Sequence, residues 1–227
     1  MAIKMAVFDM AGTTVLDKNA VAEAFSSAFS SKGLVVSKEM VDPLMGYHKP
    51  EAIRIVLEKL GASTSPTNVM EIHESFVDEM LNHYEFSPEV NAIPGAEKVL
   101  WELKEEGIII TLNTGFSRNI ADIIVERLQW AHTGLINDYI ASDEVPLGRP
   151  DPAMIHRLMS RAGLYDPRQV IKIGDTEVDI REGKNAGCLY SIAVTTGAFS
   201  RQQLQPYDPD FILDDLSGLP ALIQQHA

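Results

Sequence analysis

Four short stretches of this 227-residue chain place chemically able side chains where apolar runs stop. The first, Met5-Ala6-Val7-Phe8-Asp9, ends on a carboxylate and is followed by Ala11, Gly12, Thr13 and Thr14. A buried strand that stops this way delivers a side chain into a cleft, which makes Asp9 a candidate nucleophile. A carboxylate that merely caps the next turn would read the same here. The second stretch, Asn113-Thr114-Gly115-Phe116-Ser117, offers the Thr114 hydroxyl, a Gly115 that lets backbone approach a ligand, and a helix start just beyond. Such a turn forms an anion cradle of amides and helix dipole. The third, Gly148-Arg149-Pro150-Asp151-Pro152, fixes a cation in a rigid turn. There Arg149 either holds a phosphoryl oxygen or braces a carboxylate, the alternative being a solvated loop arginine. The fourth, Gly174-Asp175-Thr176-Glu177-Val178-Asp179, sets two carboxylates four residues apart at a strand exit. Asp175 and Asp179 so placed suit a hard divalent cation such as Mg2+, which needs few protein oxygens. Helix capping explains either one, but less easily both.

The elements that must position these groups are legible from periodicity. After Thr14, residues 19–31 place Val21, Phe25, Ala28 and Phe29 on one helical stripe. A second helix is expected from near Pro50 through Ile53, Val56 and Leu60 to Gly61, and a third after Ser65-Pro66 with Val69, Ile72, Phe76 and Met80 on one face. Strand signals are missing across this region, so it reads as a helical module inserted after the first strand. From Ala96 the pattern alternates: helix 96–106, strand 108–113, a helix capped by Ser117, a weaker strand 139–141, helix 151–162, strand 170–173, helix 178–186 and strand 189–194. Alternation of this kind predicts an α/β fold with a doubly wound parallel sheet of the Rossmann-like kind, carrying an all-helical cap. The expected division is a core of residues 1–15 and 92–227 and a cap of residues 16–91. In such sheets ligands sit beyond the carboxyl ends of the strands, where all four stretches fall.

Taken in order, the four stretches and the insertion after the first strand resemble the haloacid dehalogenase superfamily, and the resemblance covers the whole chain. It implies an aspartyl-phosphate mechanism in which Asp9 attacks phosphorus. Mg2+ would be held by Asp9, the Ala11 carbonyl and Asp175, with Asp179 supporting its shell. Gly12, Thr13, Thr114 and Gly115 would surround the phosphoryl group, and Arg149 would take the basic place more often held by lysine.

Most phosphatases of the superfamily carry a second aspartate two residues after the nucleophile, a proton donor to the leaving group. Here that position is Ala11. The Asp-x-Ala-Gly-Thr-Thr form and Gly148-Arg149-Pro150 resemble the phosphonatase branch, phosphonoacetaldehyde hydrolase, which breaks a carbon-phosphorus bond through an imine on a cap lysine. Met45-Gly46-Tyr47-His48-Lys49 matches that branch's cap element. It implies Lys49 as the imine lysine, with Met45, Gly46 and His48 meeting the substrate. The sequence departs from the branch at Ala52, Phe116 and Asn19, where the branch carries histidine, an aromatic hydroxyl and cysteine.

Composition narrows the partners. With 45% hydrophobic and 22% charged residues the chain belongs with ordinary globular proteins. A net charge of −13 argues against nucleic acid or anionic membrane as a partner. The expected partner is a small phosphorylated or phosphonylated metabolite, with oligomeric state left open, a homodimer included. One cysteine, Cys188, excludes an internal disulfide and reads as a buried, inert thiol. With no cleavable signal and no apolar run long enough to span a bilayer, a cytoplasmic protein is expected. Two rivals stand beside the phosphonatase reading: a phosphomonoesterase of the phosphoglycolate phosphatase kind, and a noncatalytic sensor that keeps the fold.

Overall fold

The computed structural model describes residues 2–226. The first strand, β1 (Met5–Asp9), is buried along its whole length, as a central strand covered on both faces must be. Four helices follow before the alternating part begins: α1 (Ala20–Ser30), α2 (Lys38–Val41), α3 (Lys49–Lys59) and α4 (Pro66–Phe86). The alternating part comprises α5 (Ala96–Glu105), β2 (Ile109–Thr114), α6 (Arg118–Arg127), β3 (Asp138–Ala141), α7 (Ala153–Arg161), β4 (Val170–Gly174), α8 (Glu177–Ala186) and β5 (Tyr190–Val194). It closes with α9 (Arg201–Leu204), β6 (Phe211–Leu213) and α10 (Leu219–His226).

All strand pairings are parallel, and the six strands run in the order β3-β2-β1-β4-β5-β6. The winding direction switches between β1 and β4, where a crevice opens beyond the strand ends. Asp9 pairs with Asn113 and Phe8 with Ile173, so Asp9, Thr114 and Asp175 leave the sheet along one edge. Side-chain alternation sorts β1 between two layers. Met5 and Val7 join Met154, Ile155 and Leu158 of α7, while Ala6 and Phe8 join Leu100 and Leu103 of α5.

The helical cap has its own aromatic centre. Phe25 of α1 stacks on Phe29 at 5.8 Å and meets Phe76 of α4 edge-on at 5.2 Å, the stripes that 3.6-residue periodicity foretells. The third helix of the cap starts at Lys49, one residue ahead of Pro50, because a proline fits the first turn, where amides are unpaired anyway. Two other details depart from expectation. Ser117 holds the N-cap position of α6, but its hydroxyl donates to Asn119 Oδ1, and Asp143 accepts from the Arg118 amide instead. The terminal β6 and α10 gave no clear signal: Phe211–Leu213 is a three-residue edge strand, too short for periodicity to show. No helix among the described residues is long and apolar enough to cross a membrane.

Candidate active site

The strand ends bring three buried carboxylates together. Asp9 closes β1, Asp175 follows β4, and Asp179 sits in the first turn of α8, each with an oxygen within 4.8 Å of the others. Three like charges so close are costly unless cations meet them. Arg149 supplies one: its buried guanidinium places Nη1 2.8 Å from Asp9 Oδ1, and it also pairs with Asp179. Lys172, fully buried in β4, supplies another, donating to Asp179 Oδ1 at 2.7 Å and to Asn113 Oδ1 at 2.9 Å. Asn113 in turn donates to both oxygens of Glu182 at 2.8 Å.

These partners give the carboxylates different characters. Burial would raise Asp179, but Lys172 and Arg149 outweigh it and hold the group at about 2. Burial and the charges of Asp9 and Asp179 push Asp175 up to about 8, against hydrogen bonds from the Ala198 amide (2.7 Å) and the Thr13 hydroxyl (3.0 Å). Asp9 is also raised, chiefly by burial. Its Oδ1 and the Nε of Arg149 are buried without a hydrogen bond among the described residues. Beyond the ion pair between Arg149 and Asp9, these two groups have capacity left over, and at a cluster of repelling carboxylates that fits a divalent cation and an oxyanion. Asp179 is less free than Asp9 and Asp175, because Thr176 donates to its Oδ2 through amide (3.2 Å) and hydroxyl (2.6 Å) in a helix-capping box.

Glycines let the walls close on this floor. Gly12 has φ +84, and a Cβ there would lie 2.7 Å from Asp175 Oδ2. A Cβ on Gly115 would come within 2.6 Å of the Gly46 carbonyl oxygen, so the cap loop 45–48 lies directly against the turn after β2. Gly46 likewise faces Thr176 and Val178, and Tyr47 donates its hydroxyl to Glu177 Oε1 at 2.6 Å. That docking carries Lys49 over the floor. Its Nζ lies 5.9, 5.8 and 5.5 Å from the ring centroids of Phe25, Phe76 and Phe116. Burial, helped by the charge of Arg149, lowers Lys49 to about 8 despite nearby Asp9, Asp17 and Asp175.

The cavity measures about 130 Å³ and is lined by Asp9, Ala11, Gly12, Met45, Gly46, Lys49, Thr114, Gly115, Arg149 and Asp175 from the sequence reading. Thr13 and Asp179 stand behind this lining, bonded to Asp175 and to the basic pair. His48 does not line it. It turns against Gly148, whose Cβ would lie 2.7 Å from that of His48, and burial there lowers its pKa. Sequence reasoning missed Lys172, Glu182 and Asn113, although a lysine in the middle of Val170-Ile171-Lys172-Ile173 was a visible signal of a buried charge with a partner. It also missed Asp17, a cavity-lining carboxylate with no motif around it.

Comparison with known proteins bears on the family and the fold. The haloacid dehalogenase-like hydrolase family matches residues 6–194. A phosphonoacetaldehyde hydrolase of Bacillus cereus is 32% identical over 92% of this chain and 83% of its own length. Two solved structures share the fold. One is a phosphonoacetaldehyde hydrolase-like protein from Oleispira antarctica (TM-score 0.87, 20% identity, 99% of this chain and 92% of that one). The other is described as a predicted phosphoglycolate phosphatase from Haemophilus somnus (TM-score 0.79, 21% identity, 97% of both chains). With a parallel core, a helical cap after β1 and the acidic cluster at the strand switch, the chain belongs to the haloacid dehalogenase-like hydrolases.

Proposed function

We propose that the chain is a Mg2+-dependent, phosphonatase-like hydrolase that cleaves the carbon-phosphorus bond of a small phosphonate of the phosphonoacetaldehyde kind. The observation that carries this reading is the Lys49 amine: it is buried, lowered to about 8, and lines the same cavity as the Asp9 carboxylate. An amine nucleophile must be neutral, and desolvation by the surrounding rings supplies that condition near physiological pH. In this reading residues 16–91 act as the cap over a core of 1–15 and 92–227.

Asp9, Asp175 and the Ala11 carbonyl would hold Mg2+, with Asp179 bracing them through Arg149; the ion, when bound, neutralises charge on the phosphoryl oxygens. The chain's own groups then act in sequence. The Lys49 amine adds to the substrate aldehyde, and loss of water leaves an iminium. Asp9 attacks phosphorus in line while Thr114, the Gly115 turn and Arg149 hold its oxygens. The carbon-phosphorus bond breaks with its electron pair drawn toward the iminium nitrogen, giving an enamine on Lys49 and a phosphoryl group on Asp9. Protonation of the enamine carbon and attack by water at each site return acetaldehyde, phosphate and both free side chains.

Phosphate release from phosphonoacetaldehyde, compared with a panel of alkyl and aryl phosphate esters, tests the proposal. Activity should vanish in excess chelator and return with Mg2+. Hydrolysis of esters alone would replace this reading with the phosphomonoesterase one, which the apolar Phe116 and Ala52 near Lys49 favour.

A further inference from the structure

The iminium step needs a proton to move from nitrogen to oxygen, and the cavity narrows the choice of carrier. Ala11 carries no acid, and His48 packs against Gly148 and is not among the lining residues. Asp9 and Asp175 belong to the phosphoryl floor, with Asp175 bound by Thr13 and the Ala198 amide. Asp42 lies at the exposed mouth, paired with Lys38 at 2.8 Å. Among the described lining residues, one carboxyl is left: Asp17.

Asp17 stands at the crossing from core to cap. Just before it, the Leu16 amide donates to the Asn91 carbonyl at 2.9 Å, and just after it, Asp17 Oδ1 accepts from the Val21 amide at 3.4 Å. The carboxylate is therefore fixed at the first turn of α1 while it borders the same cavity as Lys49. A group whose sole task was capping would be held low by the amides. Burial instead raises Asp17, against the amides of Val21 and Ala20 and the charges of Lys49 and His83. The Tyr84 hydroxyl, buried on α4, also feels its charge. A carboxyl so raised can exchange a proton with an amine lowered to about 8.

We infer that Asp17 is the proton shuttle of the Lys49 chemistry. Its carboxylate takes a proton from the Lys49 ammonium, leaving the amine free to add to the aldehyde carbon. The resulting carboxylic acid protonates the alkoxide oxygen left by addition. As carboxylate again, it takes back a proton from the positively charged nitrogen and gives it to the carbinolamine hydroxyl, which departs as water while the nitrogen lone pair forms the carbon-nitrogen double bond. Asp17 ends as the carboxylate that began, so charge and protons balance without a further reagent. The inference rests on the imine reading proposed above.

The test is the rate at which borohydride traps a reduced adduct on Lys49 in the presence of phosphonoacetaldehyde, followed by peptide mass. Asp17→Asn and Asp17→Ser both keep an acceptor for the start of α1, and neither can shuttle a proton. Each should slow trapping about 10²- to 10⁴-fold, the range for loss of a general acid-base. Melting curves should stay unchanged and Asp17→Glu should recover part of the rate. If wild-type protein gives the adduct and both variants give it equally fast, Asp17 is not the shuttle although the imine reading stands. Slowing matched by a lowered melting temperature in both variants, with no recovery in Asp17→Glu, would also overturn the assignment. Absence of any adduct in the wild type would remove the imine reading itself, and this inference with it.

Discussion

At the scale of single residues, the account turns on two groups of opposite demand: Asp9 must be charged to attack phosphorus, and Lys49 must be neutral to attack carbon. Asp9→Asn keeps the shape but removes the attacking charge, so turnover should fall by about three orders of magnitude or more while circular dichroism is unchanged. Activity near the wild-type value in that variant would exclude Asp9 as nucleophile. For Lys49 the sign follows from its downward displacement to about 8. Below that pH the amine is mostly ammonium, so adduct formation should rise about tenfold per pH unit and level off above about 8. A profile that rises only beyond pH 10 would show that the amine keeps an ordinary pKa. The Asp9 prediction is already available from the sequence; the pH midpoint for Lys49 is not. The motif around Asp9 is contiguous and readable, whereas the environment of Lys49 comes from Phe25, Phe76 and Phe116 on three separate elements.

The elements explain which parts of the site were legible. Strand-to-helix exits advertise themselves by apolar runs that stop at polar residues, so Asp9, Thr114, Asp175 and Asp179 stood out, and the parallel sheet followed from alternation. Contacts made across the chain did not. Asp17 lies before a helix in an unremarkable loop, and His48 looked like a neighbour of substrate but turns against Gly148, because the loop 45–48 is anchored by Gly46 and Tyr47. That anchoring can be tested. A Cβ at Gly115 would lie 2.6 Å from the Gly46 carbonyl and 2.7 Å from that of Tyr47, so Gly115→Ala should prise the cap loop from the core. Overpacking of this kind costs about 1 to 3 kcal/mol, and KM should rise about tenfold or more as Lys49 is displaced from the floor. An unchanged KM and melting temperature would mean that the loop docks elsewhere in solution.

For the whole molecule, the formal charge of −13 sets the substrate's approach. A dianionic phosphonate of the proposed kind would meet net repulsion at long range, and Arg149 and Lys49 would attract it at the cavity they line. Raising the ionic strength from ~0.01 to ~0.15 M shortens the screening length from about 30 to about 8 Å, so kcat/KM should increase over that range. A steep fall instead would point to a cationic approach surface. The global frame otherwise serves to shape one cavity: the switch between β1 and β4 supplies the acidic floor, and the insertion after β1 returns Lys49 to the same cavity. The central claim, that this lysine attacks a carbonyl carbon while Asp9 takes the phosphorus, is tested most directly by borohydride reduction during turnover of phosphonoacetaldehyde. The account predicts inactivation and a two-carbon adduct on the peptide bearing Lys49; steady phosphate release from that substrate with Lys49 left unmodified would contradict it.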